Sequence, residues 1–519
     1  MLNINMPGNV KDIINVLQDK GYEAYAVGGC VRDAVLGKEP HDWDITTSAL
    51  PEKIKELFSK TVDTGIEHGT VTVIMNGEGY EVTTYRIDGK YKDGRHPESV
   101  TFTPSLTEDL KRRDFTINAM AYNESEGLVD LFGGIGDIEK KKITCVGNPV
   151  DRFNEDALRI LRAVRFAGTL GFDIEENTLK ACSTVGKRLE LVSRERIQVE
   201  LDKLITSDHP EKIEIAWNVG IMEYIVPELN FGNGIEDSAC GKIKGSVAGK
   251  VEKSRGYEDR KFIIDMLKVT ENNHYVRWAA LLSVFTRDEV RRILKGLKFD
   301  NKTVKYVSSM VERFRGEAEF KTKAEVNAEA EIKSETRAKA EAEIKSETRA
   351  KAEAEVKEKG EFNVEAKAIH GFPRTDEEIR FTVYKMGDEI FSLYLELVQG
   401  YAKLAYQKTN IKANMEANME ADTDEKDEKF DFTDVEARFG RITEDEAKEV
   451  KKRYKDIRDR GECTDLKSLD ITGEDVINLG YRGKEVGEVL KYLLIEVLKK
   501  PELNNKSDLI KIIEDYRGL

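Results

Sequence analysis

Two short stretches near the start of the chain hold residue types that handle phosphate and metal. They are Gly28-Gly29-Cys30-Val31-Arg32-Asp33 and, shortly after, His41-Asp42-Trp43-Asp44. A glycine pair at a strand end lets backbone N–H groups approach a ligand closely, and the start of a following helix favours phosphate. Arg32 adds a rigid, positively charged fork for the same anion. With Trp43–Ile45 read as a strand, Asp42 and Asp44 are i and i+2 and point to one face. Two convergent carboxylates suit a pair of Mg2+ ions roughly 3.5–4 Å apart, which clamp the attacking and leaving oxygens of a phosphoryl transfer. Glu81, on a later strand, is a candidate third carboxylate whose face the sequence does not fix. A lone Asp-x-Asp is usually a strand end, and a lone Gly-Gly a turn. Together, with Arg32 and Asp33 between them, they point to a nucleotide site with Asp42 and Asp44 as catalytic metal ligands.

These residues need a sheet and helices to hold them. Val10, Ile13, Ile14 and Leu17 recur at helical spacing after Pro7-Gly8, so the chain should open with an amphipathic helix and not a signal peptide. Ala24–Val27 reads as a strand ending at the glycine pair, Val31–Leu36 as a helix stopped by Gly37, and Pro51–Phe58 as a helix with proline in its first turn. Thr70–Met75 and Tyr80–Arg86 flank Asn76-Gly77, the signature of a hairpin. From residue 151 to about 320, helical periodicity dominates and strand signals vanish.

Composition sets wider bounds. A chain of 519 residues is too long for one core and predicts about three or four domains. No run of 18 apolar residues occurs, so no membrane-spanning helix is expected. Five scattered cysteines without a C-x-x-C point to a reducing, cytoplasmic setting with neither a disulfide framework nor a zinc site. The net charge of −15 does not argue against RNA: residues 410–450 carry 14 acidic and 6 basic side chains, over half the excess. RNA binding needs local basic surface, not a basic average. Residues 331–342 (EIKSETRAKAEA) recur unchanged as 343–354. That twelve-residue period fits no coiled-coil repeat, and the surrounding 321–360 lacks the apolar residues of a core. The tract 410–430 reads as a second insertion, and 232–256, rich in Gly, Ser and Lys, as a shorter linker.

GGCVRD followed by HDWDITT, then LKRRDFTINAMAY (110–122) and NEDALRILRAVRF (154–166), resemble the ordered motifs of class II CCA-adding tRNA nucleotidyltransferases, a family that also contains bacterial poly(A) polymerases. The segment 469–498 is similar to that family's tail. The resemblance implies an α+β fold: a nucleotidyltransferase α/β head followed by all-helical neck, body and tail. It places the catalytic head at 1–150, a base-recognising neck at 151–225, a body at 226–320, insertions with a short helical segment at 321–430 and a tRNA-binding tail at 431–519. The implied reaction adds CCA to the tRNA 3′ end from CTP and ATP with Mg2+. The implied nucleotide contacts are Gly28, Gly29, Arg32 and Asp33 with Arg113, Asp114 and Asn118, Arg113 being preferred over Arg112 for ribose and phosphate. In the family, a flexible loop at the position of 87–104 helps the switch from C to A addition.

The third motif has its own physical reading. Asp156 and Arg159, at i and i+3 on a predicted helix, are neighbours on one face. An ionised Asp only accepts hydrogen bonds and Arg only donates them. Cytosine and adenine each present an amino donor beside a ring-nitrogen acceptor, whereas uracil and guanine present the reverse. An Asp/Arg pair can therefore select C and A without a nucleic-acid template. Arg162 and Arg165 continue the face and could reach a triphosphate. On spacing alone, ordinary exposed i,i+3 ion pairs are the better reading; the resemblance reverses that preference.

Three rivals stand beside CCA addition. Poly(A) polymerases share the head motifs but typically carry a basic Gly-Arg-Arg-Phe type run where this chain has Thr64-Gly65-Ile66-Glu67-His68-Gly69-Thr70. An enzyme adding only CC or only A is the second, and the charged 87–104 segment argues mildly against the CC-only form. An inactive RNA-binding scaffold should have lost a strand carboxylate, and Asp42 and Asp44 are both present. An added phosphohydrolase activity is not expected, because Ser283-Val284 stands where a His-Asp pair would be needed. Oligomeric state is not legible.

Overall fold

A computed structural model describes residues 4–89, 100–231, 247–316, 372–418 and 442–517. The repeats of 331–354, residues 90–99 of the charged loop, 232–246 of the linker and 419–430 of the second tract lie outside the described residues. The chain forms two compact units, Met1–Lys268 with Ile293–Phe299 and Val269–Arg292 with Asp300–Leu519.

In the first unit, α1 (Gly8–Asp19) buries Val10, Ile13, Ile14 and Leu17, the stripe its sequence spacing requires. It precedes β1 (Ala24–Val27), α2 (Gly29–Val35), β2 (Ile45–Thr47) and α3 (Pro51–Leu57). Then come β3 (Thr61–Gly65), β4 (Thr70–Met75), β5 (Glu78–Thr84), β6 (Arg86–Asp88), β7 (Val100–Phe102) and α4 (Leu106–Lys111). The head closes with β8 (Met120–Asn123), β9 (Gly127–Asp130), α5 (Gly134–Glu139) and β10 (Lys142–Ile143). A mixed seven-stranded sheet runs in the order β3-β4-β5-β2-β1-β8-β9. Its β4–β5 hairpin turns on Asn76 and Gly77, both with positive φ (53° and 88°), as an Asn-Gly turn matched to strand twist should. β1 lies inside the sheet with all four residues buried, so the chain leaves a fixed point when it reaches Gly28.

Helices follow: α6 (Pro149–Glu155), α7 (Leu158–Leu170), α8 (Glu176–Val185) and α9 (Arg194–Ile205). Strand signals do not vanish after residue 151 as expected: β11 (Asp173–Ile174) pairs in parallel with β10. Two-residue strands are too short to show a period. The stretch 232–256 is also not all linker, because a helix runs from Val247 to Val269.

The second unit is helical. Its helices include Asp376–Met386, Asp388–Asn418, Glu444–Asp459 and Lys484–Lys499. Thr375, Thr443 and Thr472 each open a helix through a reciprocal capping box with Glu378, Glu446 and Asp475. Val476, Val489, Leu493, Leu494, Val497 and Leu498 form a core against Phe381. Asp388–Asn418 carries regular helix into the start of the tract read as an insertion. Among the described residues, no helix is long and apolar enough to cross a membrane.

Candidate active site

Gly28 ends β1 with φ 83° and ψ −128°, a conformation only glycine adopts freely. A Cβ there would lie 3.0 Å from Arg113 Nη1, so the turn and that guanidinium are packed against one another. The peptide N–H of Val27 donates to the Asp44 carbonyl (3.0 Å) and that of Gly28 to the Met120 carbonyl (3.2 Å). The glycine turn is thereby fixed beside both the carboxylate segment and β8.

Asp42 and Asp44 lie just before β2, which begins at Ile45 and not at Trp43, and both are exposed. Trp43 between them is buried, which turns the two acids outward on either side of it. β2 pairs in parallel with β5, Ile45 opposite Val82, so Asp44 falls beside Glu81. Asp44 keeps an accessible edge, yet partial loss of solvent raises its carboxyl above the ordinary range. The charges of Glu81 and Asp42 add to this, and Arg113 opposes it. Asp44 thus sits within reach of the like charges of Glu81 and Asp42 and of the opposite charge of Arg113.

Arg113 and Arg112 depend on a residue that the sequence motifs do not single out. Asp109, on α4, is fully buried. It accepts from Arg112 (Nη2, 2.8 Å), Arg113 (Nη2, 3.4 Å) and Thr46 (Oγ1, 3.2 Å). Burial pushes its carboxyl up, but the two guanidiniums more than cancel this and hold it below the usual range. Its i+3 and i+4 spacing to the arginines was the available signal.

Behind the glycine turn runs a charged network. Arg32 donates to Asn118 (Oδ1, 2.6 Å) and pairs with Asp33 (2.8 Å). Asn118 donates to Asp114 (3.3 Å), which receives Arg162 (2.7 Å). Glu200, on α9, forms an ion pair with Arg165 (2.7 Å) and lies 3.7 Å from Arg162. The guanidiniums of Arg32, Arg162 and Arg165 surround the Phe166 ring, Arg165 closest at 3.7 Å. Burial raises the Asp114 carboxyl, but Arg162 overrides it and keeps Asp114 strongly acidic. The expected residues Arg32, Asp33, Asp114, Asn118, Arg162 and Arg165 are thus in one network, with Glu200 an unforeseen member.

The third motif is not built as its spacing suggests. α6 ends at Glu155, and Asp156 is extended (φ −140°, ψ 105°), so Asp156 and Arg159 do not share a helix face. Asp156 Oδ1 instead accepts the Leu158 N–H (3.0 Å), an Asx-type start to α7, and its Oδ2 pairs with Arg196 at 2.6 Å. Arg159 donates to Glu155 (2.7 Å) and to the Arg112 carbonyl (3.1 Å), which ties the base of the neck to the head.

Comparison with known proteins places this geometry. The family described as "Poly A polymerase head domain" matches residues 24–144, and "Probable RNA and SrmB- binding site of polymerase A" matches 171–231. A CCA-adding enzyme from Limosilactobacillus fermentum is 43% identical over 303 residues, covering 58% of this chain and 70% of that protein. One from Pediococcus pentosaceus is also 43% identical, over 319 residues, covering 59% and 73%. The chain belongs to the CCA-adding enzymes.

Among solved structures, the Bacillus stearothermophilus CCA-adding enzyme in complex with CTP aligns with a TM-score of 0.64 and 26% identity, covering 99% of both chains. The expected fold class holds: an α/β head followed by mostly helical regions. The expected enzyme class, a CCA tRNA nucleotidyltransferase, holds as well. Asp42 and Asp44 precede β2 and were named from local sequence, whereas Asp109, Arg196 and Glu200 come from the fold. Arg196 and Glu200 sit about forty residues from the groups they meet, and no local pattern announces such pairs.

Proposed function

We propose that this chain extends the tRNA 3′ end with CTP and ATP at a site formed by Asp42 and Asp44, without a nucleic-acid template. The observation that carries the reading is the carboxylate patch of Asp42, Asp44 and Glu81 beside the Gly28 turn and Arg113. The donor set is hard and all-oxygen, and the mutual repulsion of its charges is what a divalent cation relieves. Among the described residues, no three or more His, Cys, Asp or Glu close into a metal cage. Mg2+ needs only one or two carboxylates and completes its shell with water and substrate phosphates. Asp42 and Asp44 would hold it, with Glu81 alongside. Bound there, Mg2+ would supply charge neutralisation for the transferring phosphoryl group.

The chain's own groups do the rest. Arg113, anchored by Asp109, and Arg32, anchored by Asp33 and Asn118, offer fixed positive charge to the triphosphate. Fixed donors reorganise little as charge develops, so they favour the transition state. Asp114 from the head and Arg162 and Arg165 from the neck brace Arg32 through Asn118 and the Phe166 ring. Asp156 accepts the amino group shared by cytosine and adenine, and Arg159 donates to the neighbouring ring nitrogen. At the helix break the Asp156 carboxylate caps α7 and pairs with Arg196, and each oxygen keeps a second lone pair for a base. The helical tail, 431–519, holds the tRNA in this reading.

Replacing Asp42 or Asp44 by alanine tests the site. Each variant is expected to lose nucleotide incorporation while retaining tRNA binding, measured by filter binding in parallel. Turnover within about tenfold of the parent in either variant would remove the metal assignment.

A further inference from the structure

We infer that Arg196, on α9, is a specificity-determining positioning residue: it holds the Asp156 carboxylate in the orientation that reads the base. The inference rests on the proposed role of Asp156 in base selection. Asp156 stands in a break between two helices, outside the regular geometry of either. Each of its oxygens is nevertheless engaged. Oδ1 takes the Leu158 N–H at 3.0 Å, and Oδ2 takes Arg196 Nη2 at 2.6 Å. A carboxylate oxygen has two lone-pair sites, so each can still accept from a base amino group. With both oxygens anchored, the carboxylate plane is fixed before any nucleotide arrives.

The surrounding break is pinned residue by residue. The Asn154 carbonyl receives Arg188 (3.2 Å), Glu155 receives Arg152 (2.9 Å) and Arg159 (2.7 Å), and Asp156 receives Arg196. Arg196 is the one that touches the proposed reading atom's own group. One helical turn further along α9, Glu200 forms an ion pair with Arg165. The helix thus presents a cation to the acid of the third motif and an acid to its cations, at i and i+4 on one face. Without Arg196, Oδ2 loses its fixed donor, and Asp156 can turn about its side-chain torsion on the remaining Leu158 bond. A mobile acceptor no longer penalises a carbonyl where an amino group belongs, so selectivity should fall more than turnover.

The test measures kcat/KM for CTP, ATP, UTP and GTP in Arg196→Ala, Arg196→Lys and Asp156→Ala, each checked for folding by circular dichroism and thermal melting. Arg196→Ala is expected to reduce the preference for CTP and ATP over UTP and GTP by roughly tenfold, the scale of one charge-assisted hydrogen bond. Arg196→Lys, which keeps the charge and one donor, should recover part of that preference. A purely structural role would lower all four nucleotides together and leave the ratios unchanged. If Asp156→Ala changes the ratios and folded Arg196→Ala and Arg196→Lys do not, the inference about Arg196 is overturned and the reading of Asp156 survives. If Asp156→Ala leaves the ratios unchanged, base selection by Asp156 itself fails, and the role of Arg196 falls with it.

Discussion

Gly28→Ala perturbs the point where backbone and side-chain requirements meet. The backbone of Gly28 (φ 83°, ψ −128°) is strained for an L-residue, at about 1–3 kcal/mol. The added methyl would also sit 3.0 Å from Arg113 Nη1, so that guanidinium has to move. Its 3.4 Å contact with the buried Asp109 is then weakened, adding about 1 kcal/mol. Together the loss is about 2–4 kcal/mol, or a melting temperature lower by roughly 5–15 °C for a unit of this size. Gly21→Ala is the control. Gly21 has nearly the same φ (84°), but nothing lies within 4 Å of the place its methyl would take, so only backbone strain should appear. The assay pairs thermal unfolding with the KM for CTP. Gly28→Ala should melt lower than Gly21→Ala and raise KM, while Gly21→Ala leaves KM unchanged. Equal melting temperatures for the two variants, with KM unaltered in both, would refute the coupling of the glycine turn to Arg113.

Two further outcomes follow from the charges. The Asp44 carboxyl is raised in the folded state by burial, Glu81 and Asp42, so the fold favours its protonated form. Its ionisation therefore works against folding as pH rises above the ordinary carboxylate range. Asp44→Asn should accordingly melt higher than the parent at neutral pH without metal, yet gain nothing from Mg2+ that stabilises the parent; a lower melting point would contradict this. Asp114 is the opposite case, held acidic by Arg162 against its burial. Its contribution is present above the unfolded carboxylate pKa and is lost as pH falls through the lower folded value, below about pH 4. Asp114→Asn should lose about 2–4 kcal/mol by denaturant titration, somewhat under the usual figure for a broken buried pair because Arg162 keeps some water. It should also flatten the acid limb of the stability profile.

Much of the head was legible because its signals are local. The α1 stripe, the Asn76-Gly77 hairpin and the glycine turn each depend on residues within a few positions of one another. The third motif was legible in its residue types and not in its geometry. A run of Leu158, Leu161 and Val164 continues the helical pattern, and it hides the break at Asp156. The signal that remained was Asp156 itself, two residues before α7, in the kind of position where an Asp side chain satisfies a free N–H. The partners Arg196 and Glu200 were not legible, because an ion pair across a fold leaves no spacing rule in the sequence. The same limit applies to Glu81. Its place beside Asp44 is set by the parallel register of β2 on β5, which is a tertiary fact.

The most direct test of the proposed nucleotide selection is to sequence what the protein makes. Purified protein is given tRNA lacking its 3′ CCA, Mg2+ and all four triphosphates in equal amounts, and the extended ends are read individually. The predicted product is C, C, A and then a stop, with U and G nearly absent in the parent and present at the first two positions in Asp156→Ala. Open-ended A tracts, a stop after CC, or a parent that incorporates all four bases alike would contradict the account.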